Sequence, residues 1–229
     1  ELYDGYRVDH LVGFFRTYVR EKDGTAAFVP PDQPSQIVQG ERVLDVLSAT
    51  GARIIAEDLG VIPDFVREAL ARLEIPGYKV FRWEREWDVE GQPFKDPASY
   101  PSNSVATSGT HDTEPLGEWW DEAPIEERRA AAALACMAPP GCDPEAPFND
   151  TTRDAILQVL YASGSDIVLL PINDVFGWRD RINTPAVIDD RNWTWRLPWP
   201  VEDLATGPHG RERATFVRAL AAKYERSEP

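Results

Sequence analysis

Five short apolar runs, each set off by helix-like stretches, constrain this chain more than any other feature. They cover residues 5–10, 52–57, 78–83, 104–110 and 166–172. The run Ile167-Val168-Leu169-Leu170 is continuous rather than alternating, as expected of parallel strands covered on both faces. Helical periodicity fills the gaps. Pro63 sits where a first helical turn tolerates proline, and Phe65, Val66, Ala69, Leu70 and Leu73 then form one apolar stripe. Thr151 with Asp154 resembles a capping box before Ile156, Leu157, Val159 and Leu160. Residues 41–49, 125–136 and 212–225 also read as helices. Strands alternating with helices predict an α/β protein with a parallel sheet, open or closed.

Composition narrows the function. The chain has 229 residues and a formal charge of −15, with no Lys/Arg cluster interleaved with aromatics, which argues against nucleic acid and favours a neutral ligand. No apolar run is long enough to span a bilayer, so no membrane partner is expected. Neither standard glycine-rich phosphate loop is present, which counts against nucleotide cofactors. Cys136 and Cys142 are too few for a disulfide framework or a zinc site, and read as thiols of a reducing cytoplasm. Three histidines are too few for a metal-dependent amidohydrolase, so no metal and no cofactor are expected. Residues 23–39, 84–101 and 173–200 read as long loops rich in proline and tryptophan, and long ordered loops in a compact domain usually carry function.

Three of the apolar runs end on acids. In Tyr6-Arg7-Val8-Asp9-His10, strand alternation puts Arg7 and Asp9 on one face. A guanidinium there keeps a carboxylate anionic, which suits a nucleophile and equally suits a structural ion pair. In Ile55-Ala56-Glu57-Asp58, only one of the two adjacent acids can face a central cleft. Glu57, at the end of an apolar run, reads as the acid/base, and Asp58 as the cap of the following turn. Gly109-Thr110-His111-Asp112 is weaker by itself, since a His-Asp pair can bind metal, relay a proton, hold sugar hydroxyls or simply be structural.

The order Arg-x-Asp-His, Ala-Glu-Asp-Leu-Gly, Gly-Thr-His-Asp resembles the 4-α-glucanotransferases (amylomaltases, or disproportionating enzymes) of glycoside hydrolase family 77, in the α-amylase clan. Residues 76–80 (Pro-Gly-Tyr-Lys-Val), 181–185 (Arg-Ile-Asn-Thr-Pro) and 192–196 (Asn-Trp-Thr-Trp-Arg) extend the resemblance in family order. It implies a (β/α)8 TIM barrel acting on maltooligosaccharides and other α-glucans. It also implies Asp9 as nucleophile, Glu57 as general acid/base and Asp112 as transition-state stabiliser of a retaining double displacement. Arg7, His111 and, on the acceptor side, His10 would bind substrate. An α-amylase-clan hydrolase and a non-catalytic glucan-binding fragment are the competing readings. Aromatic rings stack on sugar faces, and Trp119, Trp120, Trp178 and Trp193 fall in loop-like segments, although packing is the commoner role for any single tryptophan.

Two departures stand out. The family usually follows His-Asp with asparagine, where this chain has Thr113-Glu114-Pro115. In the clan the Arg-x-Asp stretch ends the fourth barrel strand, yet here it opens the chain. The expectation is therefore strands four to eight only: residues 1–229 as the C-terminal part of one catalytic barrel domain, poorly active by itself.

Overall fold

The computed structural model describes residues 3–135 and 142–226. The chain divides into two compact units, Glu1–Tyr78 with Ser102–Val105, and Lys79–Pro101 with Ala106–Pro229.

The first unit opens on β1 (Gly5–Val8) and a short helix α1 (Val12–Phe15). An antiparallel hairpin follows, β2 (Thr17–Arg20) against β3 (Ala26–Val29). Residues 23–39 are thus not a plain loop, because β3 and the start of α2 (Gln33–Ser48) lie within them. The helix starts eight residues before the predicted position 41 for a local reason. Asp32 accepts the Ser35 N–H at 2.9 Å, and Pro34 occupies the first turn, where its missing N–H costs nothing. Gln36, Gly40 and Leu44 make the buried stripe of α2, and the Phe15 ring lies against Gly40 in the space a side chain would need. β4 (Arg53–Ala56) then pairs in parallel with β1, from Gly5 opposite Arg53 to Val8 opposite Ala56. Helix α3 (Asp64–Arg72) buries Phe65, Val66, Ala69 and Leu70 as the periodicity predicts, with Pro63 at its N-cap. β5 (Gly77–Val80) joins in parallel, Ala56 opposite Gly77. Leu11, Phe15, Leu44, Ile54, Val66 and Leu70 form the core of this unit.

β6 (Ser104–Thr107) is buried along its whole length, as a strand covered on both faces should be. The second unit continues with α4 (Leu116–Glu122) and α5 (Ile125–Ala135); Cys136, the predicted end of that helix, lies outside the described residues. Trp119 and Trp120 belong to α4 and pack in the core, so the expected loop tryptophans are helical. α6 (Asp150–Tyr161) is capped by Asn149, which accepts from the Thr151 and Thr152 amides at 3.0 and 3.1 Å, not by Thr151 itself. β7 is only Ile167–Val168, because Pro171 has no N–H to continue a ladder and opens α7 (Ile172–Phe176) instead. Ile167 and Val168 are only partly buried, so the continuous apolar run does not signal two-sided burial at this strand. α8 (Asp203–Thr206) and α9 (Pro208–Lys223) close the chain, and the buried Arg213 ties α9 to Asp154 of α6 at 2.7 Å.

The five strands outside the hairpin take the order β1-β4-β5-β6-β7, which is sequence order. Among the described residues no helix is long and apolar enough to cross a membrane.

Candidate active site

In the first unit the acids lie just past the ends of β1 and β4. Arg7 and Asp9 do share a face, and Arg7 Nη1 donates to Asp9 Oδ1 at 2.7 Å. The Asp9 side chain is 67% exposed and so open to an incoming ligand. Arg7 is also braced from the sheet side, its guanidinium 5.4 Å from the centre of the Tyr78 ring. His10 follows with φ +46°, a left-handed conformation uncommon for a non-glycine residue. That turn sends its N–H to Glu57 Oε2 at 2.8 Å, and Glu57 Oε1 accepts the Leu59 N–H at 2.8 Å. The Glu57 N–H donates in turn to Val8 O at 2.9 Å, so the two strand ends are laced together.

Glu57 therefore takes the turn amide that the sequence assigns to Asp58. Asp58 is buried and accepts the Tyr78 N–H of β5 at 2.7 Å. Its carboxylate fits because Gly77 has no Cβ; one would stand 2.6–2.7 Å from the carboxyl atoms. Gly77→Ala should therefore destabilise the protein by about 1–3 kcal/mol through overpacking. Chemical denaturation checks this, and an unchanged midpoint would show that Asp58 is free to move aside.

In the second unit His111 Nε2 stands 3.3 Å from Asp112 Oδ2, and Asn183 Nδ2 donates to Asp112 Oδ1 at 2.6 Å. The Trp193 ring lies 5.1 Å from the His111 ring. Asn183 was visible in the sequence only as part of the 181–185 motif, without a role, and Trp193 only as one tryptophan among several. Trp178 belongs instead to an aromatic stack with Phe176 and Trp199 at 4.6 and 5.2 Å.

Beneath this loop lies a buried polar network that no local pattern announces. Arg82 donates to Glu114 Oε1 at 2.8 Å and to Ser108 O at 3.3 Å. Asp174 accepts from the Ser108 hydroxyl at 2.5 Å and the Leu116 N–H at 2.7 Å. Burial pushes the Asp174 carboxyl up from its ordinary range, against the pull of those two donors and of Arg82. Burial also pulls the Arg82 guanidinium down, opposed by Glu114 and Asp174. For Glu114, burial alone would act upward, but its own backbone amide, Arg82 and Arg181 outweigh it and hold the carboxyl low. Glu114 is thus the partner of a buried arginine.

Among the described residues no group of three or more His, Cys, Asp or Glu is arranged to hold a metal ion. The pairing of Cys136 with Cys142 cannot be described, since Cys136 lies outside the described residues.

A sequence model of the 4-alpha-glucanotransferase family matches residues 1–202, which span all three strand-end acids. The chain belongs to the 4-alpha-glucanotransferase family. It is 34% identical over 220 residues to the 4-alpha-glucanotransferase of Chlamydia pneumoniae, covering 89% of this chain and 39% of that protein. Over 202 residues it is 29% identical to the chloroplastic/amyloplastic 4-alpha-glucanotransferase of Arabidopsis thaliana, covering 86% and 32%. The chain thus spans about two fifths of the length of the curated bacterial relatives it matches. Among solved structures it is similar to the amylomaltase of Streptococcus agalactiae in complex with acarbose. That likeness has a TM-score of 0.74 at 26% identity and covers 99% of this chain and 42% of the other. The amylomaltase of Corynebacterium glutamicum, at 20% identity and TM-score 0.68, shares the fold over 93% of this chain and 35% of its own. The fold is accordingly part of a (β/α)8 barrel.

Proposed function

We propose that this 4-alpha-glucanotransferase family member transfers α-1,4-glucan segments between maltooligosaccharides by a retaining double displacement. The observation that carries the reading is the family match over residues 1–202, which takes in Asp9, Glu57 and Asp112 together. In the first half-reaction the Asp9 carboxylate attacks the anomeric carbon and forms a glycosyl ester while the glycosidic C–O bond breaks. The proton on Glu57 goes to the departing oxygen. In the second, an acceptor hydroxyl gives its proton to Glu57, bonds to the anomeric carbon and releases Asp9. Each Glu57 oxygen accepts one backbone N–H and keeps a second lone pair for the transferred proton, so the His10 and Leu59 bonds hold the carboxyl in place while it acts. Asp112, with His111, would hold sugar hydroxyls of the distorted ring.

The length covered supports reading the chain as the C-terminal part of one catalytic barrel domain. The chain spans 39% of the length of the Chlamydia pneumoniae relative, and a barrel short of strands leaves open sheet edges. Activity is therefore expected of a protein with the length of the curated relatives, and little of these 229 residues alone. The expected products from maltotriose are glucose plus a ladder of longer maltodextrins, with acarbose competing. Only shorter sugars would mean hydrolysis instead, and retained maltodextrin with no product would mean a binding role. A cytoplasmic location belongs to the same reading, supported by the sparse cysteines, and cell fractionation tests it.

A further inference from the structure

We propose that Asn183 is a positioning residue that sets the orientation of the Asp112 carboxylate for transition-state stabilisation. This rests on the role given to Asp112 above. Asp112 is a half-exposed side chain at a loop tip, and a free carboxylate there rotates about its last side-chain torsion. Here both oxygens are engaged, Oδ1 by the Asn183 amide at 2.6 Å and Oδ2 facing His111 Nε2 at 3.3 Å. Asn183 is the shorter and better-directed contact, and its amide donates whatever the charge on His111.

The surrounding loop is built to keep that amide in place. The Asn183 N–H donates to His111 O at 3.1 Å, and Arg181 Nη2 donates to Asp112 O at 3.1 Å. Asn192 accepts the Thr184 N–H at 3.0 Å and returns a bond to Thr184 O at 3.2 Å. The Trp193 N–H reaches Ile182 O at 2.8 Å from a backbone with φ +64°, which lays its ring beside His111. Two of these contacts dock the 181–193 segment on the His111–Asp112 loop and three brace it internally, all without the Asn183 side chain. That side chain is left with the carboxylate as its hydrogen-bond partner. A substitution at 183 therefore removes one bond to Asp112 and leaves the loop docked. A carboxylate that must grip two sugar hydroxyls in a fixed direction loses rate, not affinity, when it swings.

The test uses three variants in the protein at the length of its curated relatives, assayed by maltotriose disproportionation. Asp112→Asn comes first, because it tests the role of Asp112 itself; retention of wild-type activity would remove that role and the inference with it. Given an inactive Asp112→Asn, Asn183→Ala is expected to lower kcat about 10–100-fold with KM within two- to three-fold. A kcat within two-fold of wild type overturns the inference. A raised KM at unchanged kcat overturns it too, assigning Asn183 to ground-state binding. Asn183→Asp keeps the shape but sets a second carboxyl against Asp112, with Arg181, His111 and Glu114 the other ionisable groups around it. Two carboxyl groups that close share a proton, so its pH–kcat profile should move relative to wild type. A merely structural residue would leave the profile in place, and an unshifted profile counts against the proposal even if Asn183→Ala misfolds.

Discussion

Asp9→Asn should reduce glucan transfer about 10⁴- to 10⁶-fold, the scale of losing a covalent nucleophile. The protein should scarcely notice otherwise. Asp9 is mostly exposed, and its side chain bonds Arg7 in a solvent-facing pair worth ~1 kcal/mol or less. The melting temperature should therefore shift by no more than about 4 °C, and maltodextrin binding should survive. A variant that binds maltodextrin and turns over at the wild-type rate would remove Asp9 as nucleophile. One that loses both binding and stability would mean that Arg7–Asp9 is mainly a structural pair. The contrast between a collapsed rate and an intact fold is what separates the two roles the sequence leaves open.

Arg82→Ala is expected to have the largest effect on stability, about 3–5 kcal/mol, the usual cost of leaving buried charges without their partner. Arg82 is almost fully buried, bridges Glu114 and Ser108, and lies 5.2 Å from the centre of the Trp119 ring. Its loss leaves Glu114 with only the longer Arg181 contact at 3.8 Å and removes the cation beside Asp174. The pH dependence has a definite sign. Glu114 is held low, so its contribution is present above its ordinary 4.5 and fades as pH falls through the lowered value. Asp174 is held high, so the folded protein favours its protonated form, and that gain is full below 3.8 and lost as pH rises through the raised value. Removing Arg82 weakens the first effect and strengthens the second. The stability gap between wild type and variant should therefore narrow as pH drops below about 4.5. Urea denaturation at several pH values measures it, and a gap that stays constant on acidification would mean that packing against Trp119, not charge, is what Arg82 supplies.

Legibility differed by residue. The β1, β4, β5 and β6 strands and the α3 stripe were plain, because burial imposes a period that a linear reading detects. The start of α2 was missed because Asp32, Ser35 and Pro34 resemble loop composition until the cap geometry is known. Trp119 and Trp120 misled for a related reason: a seven-residue helix is too short to display its own period. For Glu57 and Asp58 the sequence reading divides the roles of site acid and turn cap between two neighbours. Their partners were then exchanged, because the amide available to each depends on where β1 and β5 lie.

What the sequence determined by itself is therefore the one-dimensional part: an α/β alternation, acids placed at strand ends, and motifs in the order of one family. Those features depend on local periodicity and chain order. Only the tertiary structure decided which donor each acid accepts. Asn183 reaches Asp112 across 71 positions of chain and Arg82 reaches Glu114 across 32. No local rule spans such separations, because hydrogen bonds of this kind are assigned by packing once distant segments have met.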